Sequence, residues 1–355
     1  MKKSLIALAV VAASGTSFAQ VTITGNYTTG FKSSTTSPST VATGATVAQQ
    51  VTQNLAGGNA GNATGEASGL GVDTTLITFA AKEDLGGGMS VAAEMSLDGF
   101  TRGAANGGDS SLKLTTGIGR FTLQAYKPAD YLSGTFGVGG VGMDNKVFPA
   151  RSLKDAVGFD TKFGPVVLSF SHQEQGTANS VSPNAALGLG QGAAGLPSQV
   201  GQRLNSLSGT YIAGALVANV NYLSYDNRTE GANTSYKDVL RAGAKYDFGF
   251  LQLGGGVSTL ATMSGGKLNS AAISAAVPVG ALTLGANYGT ETADGFAIQA
   301  ATGGVNIDQS RNGYGLSATY ALSKRTSLIA NYANWLPYGG ANRNSEANLL
   351  VSHSF

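Results

Sequence analysis

Segments of roughly ten residues in which apolar and polar side chains alternate recur along most of this chain, and the connections between them come in two kinds. The short ones are Leu85-Gly86-Gly87-Gly88, Gly117-Ile118-Gly119, Phe163-Gly164-Pro165, Ala213-Gly214-Ala215, Asp247-Phe248-Gly249-Phe250, Pro278-Val279-Gly280 and Leu322-Ser323-Lys324-Arg325. Between them lie longer polar stretches near residues 32–71, 99–110, 129–154, 176–201, 227–235, 263–267, 292–310 and 336–345. Seven turns and eight loops join about sixteen strands, and an even number brings both chain ends to the same side. A soluble sandwich alternates too, but it has no cause to segregate turns from loops. A bilayer does: a strand crosses it in about ten residues, and lipid-exposed backbone must pair completely, so the sheet has to close. The predicted fold is an all-β, transmembrane antiparallel barrel of about sixteen strands, with short periplasmic turns and long external loops.

The faces support a wet interior. In residues 281–288, Leu282, Leu284, Ala286 and Tyr288 share one side, while Thr283, Gly285 and Asn287 share the other. Tyr314, Leu316, Ala318, Tyr320 and Leu322 oppose Ser317 and Thr319, and Val166, Leu168 and Phe170 oppose Ser169 and Ser171. A soluble barrel would turn its apolar set inward. The last strand repeats the pattern, with Leu349, Val351, His353 and Phe355 against Asn348, Ser352 and Ser354. Tyr246, Phe248, Tyr288 and Tyr320 are expected near strand ends as interface aromatics, and Trp335 as another.

The amino terminus reads as an export signal: Lys2 and Lys3, an apolar run from Leu5 to Val11, then Ser17-Phe18-Ala19 as a small-x-small cleavage site. Residues 1–19 are expected to be removed, leaving 20–355 as one barrel domain. Loss of Lys2 and Lys3 takes 22 basic against 20 acidic residues to 20 against 20. A nucleic-acid binder needs a basic surplus or stripe, and none is present. The chain has no Cys and only two His, so Cys-built zinc sites are excluded and no cofactor is predicted. Residues 32–71 and 176–201 are low-complexity stretches of small and polar residues, which bury no core and read as mobile external loops.

Against this background the run 82–94, beginning Lys82-Glu83-Asp84-Leu85-Gly86, resembles the first turn and following strand of Gram-negative general diffusion porins. The similarity is to the β-proteobacterial sixteen-stranded, trimeric type. Residues 322–328 look like that family's last periplasmic turn, and Phe355 resembles its insertion signal. The resemblance implies passive diffusion of small hydrophilic solutes and ions across the outer membrane. It further implies a homotrimer in contact with outer-membrane lipid and lipopolysaccharide, and a loop after the fifth strand that folds into the lumen and narrows it.

On that resemblance the narrowing loop is 129–154, with Asp130, Asp144, Lys146, Arg151 and Lys154 as its charges, followed by Asp155. For the pore wall, inward parity selects Glu94 and Asp98 on the third strand, Lys113 on the fourth, Arg120 on the fifth, and Arg241 and Lys245 on the tenth. Anion-selective relatives carry arginines on the second, fourth and fifth strands. Here the ladder is thin and both signs occur, which predicts weak selectivity.

Other readings are weaker. Residues 137–142 and 190–195 both match G-x-G-x-x-G, but neither follows a buried strand and opens a helix, so phosphate binding is not expected. His172 could be a general base, but its neighbours Ser169, Ser171 and Glu174 along the strand do not face it, so no nucleophile–base pair forms and an outer-membrane enzyme is disfavoured. A substrate-specific outer-membrane channel, shaped by the Ala/Gly-rich loop 129–154, is the alternative. An adhesive barrel presenting residues 32–71 is a further one.

Overall fold

The computed structural model describes residues 20–36, 65–101, 104–149, 151, 154–175, 203–226, 236–263, 265–300, 303–336 and 343–355. The expected leader at 1–19, most of the 32–71 stretch and the 176–201 stretch lie outside the described residues.

The strands are β1 (Gln20–Thr36), β2 (Gly65–Gly86), β3 (Met89–Thr101), β4 (Ala104–Thr116), β5 (Gly119–Tyr126), β6 (Lys154–Phe163), β7 (Val166–Gln175) and β8 (Arg203–Ala213). They continue as β9 (Leu216–Asp226), β10 (Tyr236–Asp247), β11 (Gln252–Thr262), β12 (Lys267–Val279), β13 (Leu282–Ala300), β14 (Gly303–Ala321), β15 (Thr326–Leu336) and β16 (Asn344–Ser354). Each pairs antiparallel with its sequence neighbours, and β1 pairs with β16, closing the barrel. Closure leaves no sheet edge, which is the condition for a sheet in hydrocarbon.

All seven short turns fall between strands as predicted. At the first, Gly87 and Gly88 have φ of 61° and 79°, a left-handed pair that suits a two-residue hairpin and that only glycine adopts without strain. The seam is made by the last residues. Tyr27 pairs with His353, and the amide of Gly25 and the carbonyl of Phe355 bond at 3.0 Å, as do the reverse pair. Gly25 leaves room for the Phe355 ring, which a Cβ would meet at 2.3 Å, and for the Leu76 carbonyl at 2.8 Å.

The faces follow the predicted parity. Leu284, Leu316, Tyr320, Leu168 and Phe170 are exposed on the outer wall. Asn287 and Ser274 face inward and are buried beneath a loop. Leu350 is an exception among the inward residues of β16, apolar and 3% exposed.

Four expectations need correction. Residues 99–110 and 292–310 are not loops: β3 and β4 pair up to Thr101 and Ala104, and β13 and β14 up to Ala300 and Gly303. Their Gly, Asn, Ser and Asp content matches turn chemistry, but backbone pairing in a hairpin does not depend on side-chain polarity. Trp335 is no interface residue. It lies at inward parity opposite Gly313, 6% exposed, packed against the loop that enters the lumen. Its period-2 position outweighed its residue type. Tyr246, Phe248 and Tyr320 do sit at the short-turn margin, whereas Tyr288 stands higher on the wall, between Ile273 and Tyr314.

Candidate functional site: a loop pinned inside the barrel

The connection between β5 and β6 turns inward and lies against β9 to β15. It starts with one π-helical turn, Tyr131–Thr135, capped by Asp130, whose carboxylate accepts from the Ser133 amide at 2.5 Å and the Ser133 hydroxyl at 2.8 Å. The Ser133 hydroxyl in turn accepts from the Met143 amide at 3.0 Å, drawing the loop into a compact fold. Asn145 turns the chain with φ of 60°, a conformation that Asn tolerates better than most residues.

Why the loop sits so close to the wall is written in the wall's glycines. Phe136 packs its ring on Gly243 and its carbonyl on Gly254, where a Cβ would come within 2.5 and 2.1 Å. A Cβ on Gly285 would meet the Gly140 amide at 2.6 Å, and one on Gly313 would meet Val147 at 2.8 Å. Inward glycines on β10, β11, β13 and β14 thus form a bare cradle for loop backbone. Polar neighbours then hold it. Ser274 accepts from the Val138 amide at 2.9 Å and Ser317 from the Gly140 amide at 3.1 Å, while the Asn287 amide donates to the Val141 carbonyl at 2.6 Å. Leu132, Met143, Val147 and Phe148 close an apolar cluster with Ala333 and Trp335.

The predicted loop charges are largely engaged in this docking. Asp144 pairs with Arg151 at 2.9 Å, and Lys146 lies 3.6 Å from Glu346 and 5.5 Å over the Trp335 ring. Lys154 and Asp155 belong to β6, not to the loop. Lys154 has inward parity opposite Tyr126, whereas Asp155 has the parity of the outer-facing Val157.

Two of the wall cations also serve the loop. Arg241 donates from Nε and Nη2 to Asn221 Oδ1 at 3.0 and 2.8 Å, and its guanidinium stacks 4.5 Å above the Tyr131 ring. Tyr131 donates to Asn219 Oδ1 at 2.9 Å. Burial pushes its phenol up to about 12, with Arg241 pulling it part of the way back, so the donor keeps its proton throughout the physiological range. Lys245 Nζ donates to the Thr135 carbonyl at 3.3 Å.

The opposite wall is different. Glu94, Asp98 and Arg120 are exposed at inward parity, and Lys113 is half-buried there. Arg120 is paired with Asp160 at 2.9 Å, a contact half open to water and worth at most about 1 kcal/mol. Lys82 is a further wall cation, absent from the sequence candidates. It shares a row with Ala92 and Lys113, which places the two lysines two strand spacings, or about 10 Å, apart at the backbone. Its parity with Thr78 and Ala80, against Ile77 and Phe79, is the signal that identifies it.

Charge therefore divides the lumen. Where the loop docks, the wall of β11 to β15 is glycine, serine and asparagine, with one fully buried ion pair, Glu291–Arg311 at 2.7 Å. The wall of β2 to β6 carries exposed charges of both signs at inward parity. Among the described residues no group of His, Asp and Glu could hold a metal ion. His172 bonds Asn205 at 2.9 Å, and His353 bonds Thr326 at 2.9 Å on the outer face near the seam.

A sequence profile described as Gram-negative porin matches residues 5–335. The chain belongs to the Gram-negative porin family. It is thus a multi-pass β-barrel of the outer membrane and a diffusion channel, not an enzyme. The anion-selective porin from Comamonas acidovorans has the same fold, with a TM-score of 0.65 at 19% identity over 95% of this porin and 100% of that one. The Vibrio cholerae outer-membrane protein OmpT, in a form lacking loop L8, superposes with a TM-score of 0.61 at 12% identity over 95% and 99% of the two chains. A mutant of the Rh. blastica porin gives 0.57 at 12% identity over 95% and 100%. No curated protein sequence matches the chain.

Proposed function

We propose that this porin is a general-diffusion channel whose narrow zone lies between the docked loop at 129–149 and the charged wall of β2 to β6. Small hydrophilic solutes and ions pass along that side, bounded by Lys82, Lys113, Arg120, Glu94 and Asp98. The observation that carries the reading is the division of labour among charges. Asp130, Asp144, Lys146, Arg151, Arg241 and Lys245 are spent on holding the loop, which leaves the β2 to β6 wall to set the field. Both signs occur on that wall, so the field at the narrow zone is weak in net terms and selectivity is modest. Residues 1–19 are removed on export, and the mature chain works as the homotrimer of the porin type it resembles, in contact with lipid and lipopolysaccharide.

Stepwise conductance increments in planar bilayers, with a small reversal potential under a salt gradient, test this. Silence at every voltage, or current block by a solute at low concentration, would speak for a different or a dedicated channel. Replacing both Lys82 and Lys113 by Glu is expected to move the reversal potential clearly towards cation preference, while unitary conductance changes little. An unmoved potential would place the narrow zone elsewhere.

A further inference from the structure

The outer wall carries a trough that the channel function does not use. Two depressions of about 640 and 680 Å³ lie side by side on the lipid-facing surface between β8 and β13, and they share Ala244, Gly255 and Val257. Their linings are almost wholly apolar. Tyr211 and Val220 stand on one flank and Ile273 and Tyr288 on the other, all with exposed side chains.

The floor is bare for a structural reason. A Cβ on the outward-facing Gly255 would meet the Ala272 carbonyl at 2.2 Å, so no side chain fits there, and the neighbouring outward positions on β10 are only Ala242 and Ala244. Phe136 of the lumenal loop packs on the inner side of the same two strands, at Gly243 and Gly254. At Gly254–Gly255 backbone alone separates the loop from the outside.

Depth identifies the occupant. Ala244 is three residues from the end of β10 at Asp247 and Gly255 three from the start of β11 at Gln252, both at the short-turn end. With a rise of about 3.3 Å per residue and a tilt of about 45°, the floor begins about 7 Å above the periplasmic margin. Tyr246, Phe248 and Phe250 mark that margin, stacked in sequence with centroids 4.5 and 6.3 Å apart. The trough thus opens directly above an interfacial aromatic cluster, within the inner-leaflet half of an apolar band about 25 Å tall.

We propose that this trough is a binding site for the acyl chains of an inner-leaflet phospholipid, anchored by its headgroup at the Tyr246–Phe248–Phe250 cluster. Chains seated on the Ala244–Gly255 floor contact backbone that a flat wall of Leu and Val would cover. They gain dispersion contacts that the bulk bilayer does not supply. The site rests on the outer-membrane location of the barrel and not on which solutes it passes.

The test uses the full mature chain refolded into phospholipid vesicles free of lipopolysaccharide, extracted in mild detergent and weighed by native mass spectrometry. The wild type should retain a phospholipid adduct. Ala244→Leu and Ala242→Leu, which fill the floor, should lose it. Ala330→Leu, exposed on the outer face of β15 away from the trough, should keep it. Unitary conductance of each variant establishes that it has folded. Should a filled variant fail to insert, Ile273→Ala lowers one flank without adding bulk and should reduce the adduct. No adduct on the wild type, equal retention by the filled variants, or an adduct that forms only once lipopolysaccharide is added would overturn the proposal. So would efficient cross-linking between copies through Ile273→Cys, a clean probe in a chain without cysteine, because it would give the trough to a second barrel.

Discussion

Glu291→Ala is expected to destabilise the folded barrel by about 3–5 kcal/mol, the usual cost of leaving one member of a buried ion pair alone. Glu291 is 0% exposed and Arg311 2% exposed. The carboxylate receives Arg311 Nη2 at 2.7 Å and Nε at 3.1 Å on one oxygen, and the Ser270 hydroxyl at 2.7 Å on the other. Removing the acid takes the carboxylate partner from a buried guanidinium. The pair lies on the β13–β14 wall that carries the loop, so the loss also weakens the loop's support. Thermal unfolding in detergent, followed by the loss of β signal, measures it. Replacing both partners by leucine and methionine should recover much of the stability, since two apolar residues of similar volume leave no unpaired charge. Equal losses for the single and double variants would show that the pair contributes through packing alone.

Gly285→Val is expected to cut unitary conductance by tens of per cent and to add open-channel noise while the barrel stays folded. A Cβ at 285 would meet the Gly140 amide at 2.6 Å and the Gly139 Cα at 2.9 Å, both backbone atoms that cannot rotate away. The loop must lift from its cradle, losing the Gly140–Ser317 bond at 3.1 Å and moving into the passage it borders. Gly107→Val is the matched control, because a Cβ there meets nothing within 4 Å. Trp335 is the chain's single tryptophan and is buried under the loop, so a red shift of its emission reports the same displacement. Wild-type conductance in Gly285→Val would mean that the loop is not what narrows the pore.

Legibility in the sequence was uneven, for physical reasons. Strand number, turn positions and the inward or outward parity of Lys113, Arg120, Arg241 and Lys245 follow from a period of two and from turn chemistry, both local properties of the chain. Lys82 was equally local and was missed only because β2 runs further than its loop-like flanks indicate. The strand extents at 99–110 and 292–310 were not readable, since a polar hairpin and a polar loop share one composition.

The role of the loop's charges lay further out of reach. Asp130, Asp144 and Lys146 are pore-lining candidates only on the resemblance to porins. Asp130 is engaged by Ser133 and Asp144 by Arg151 within the loop, whereas Lys146 meets Glu346 only because of where the loop lands. The same holds for the wall glycines. Gly243, Gly254, Gly285 and Gly313 read as weak spots in strands until Phe136, Gly140 and Val147 are seen against them. Alternation along the chain was enough to dictate a closed barrel with a hydrophilic inside, because every strand must solve the same bilayer problem by itself. That Arg241, Lys245 and Lys146 hold the loop was decided only when residues more than a hundred positions apart came together, a fact of packing that no local pattern encodes.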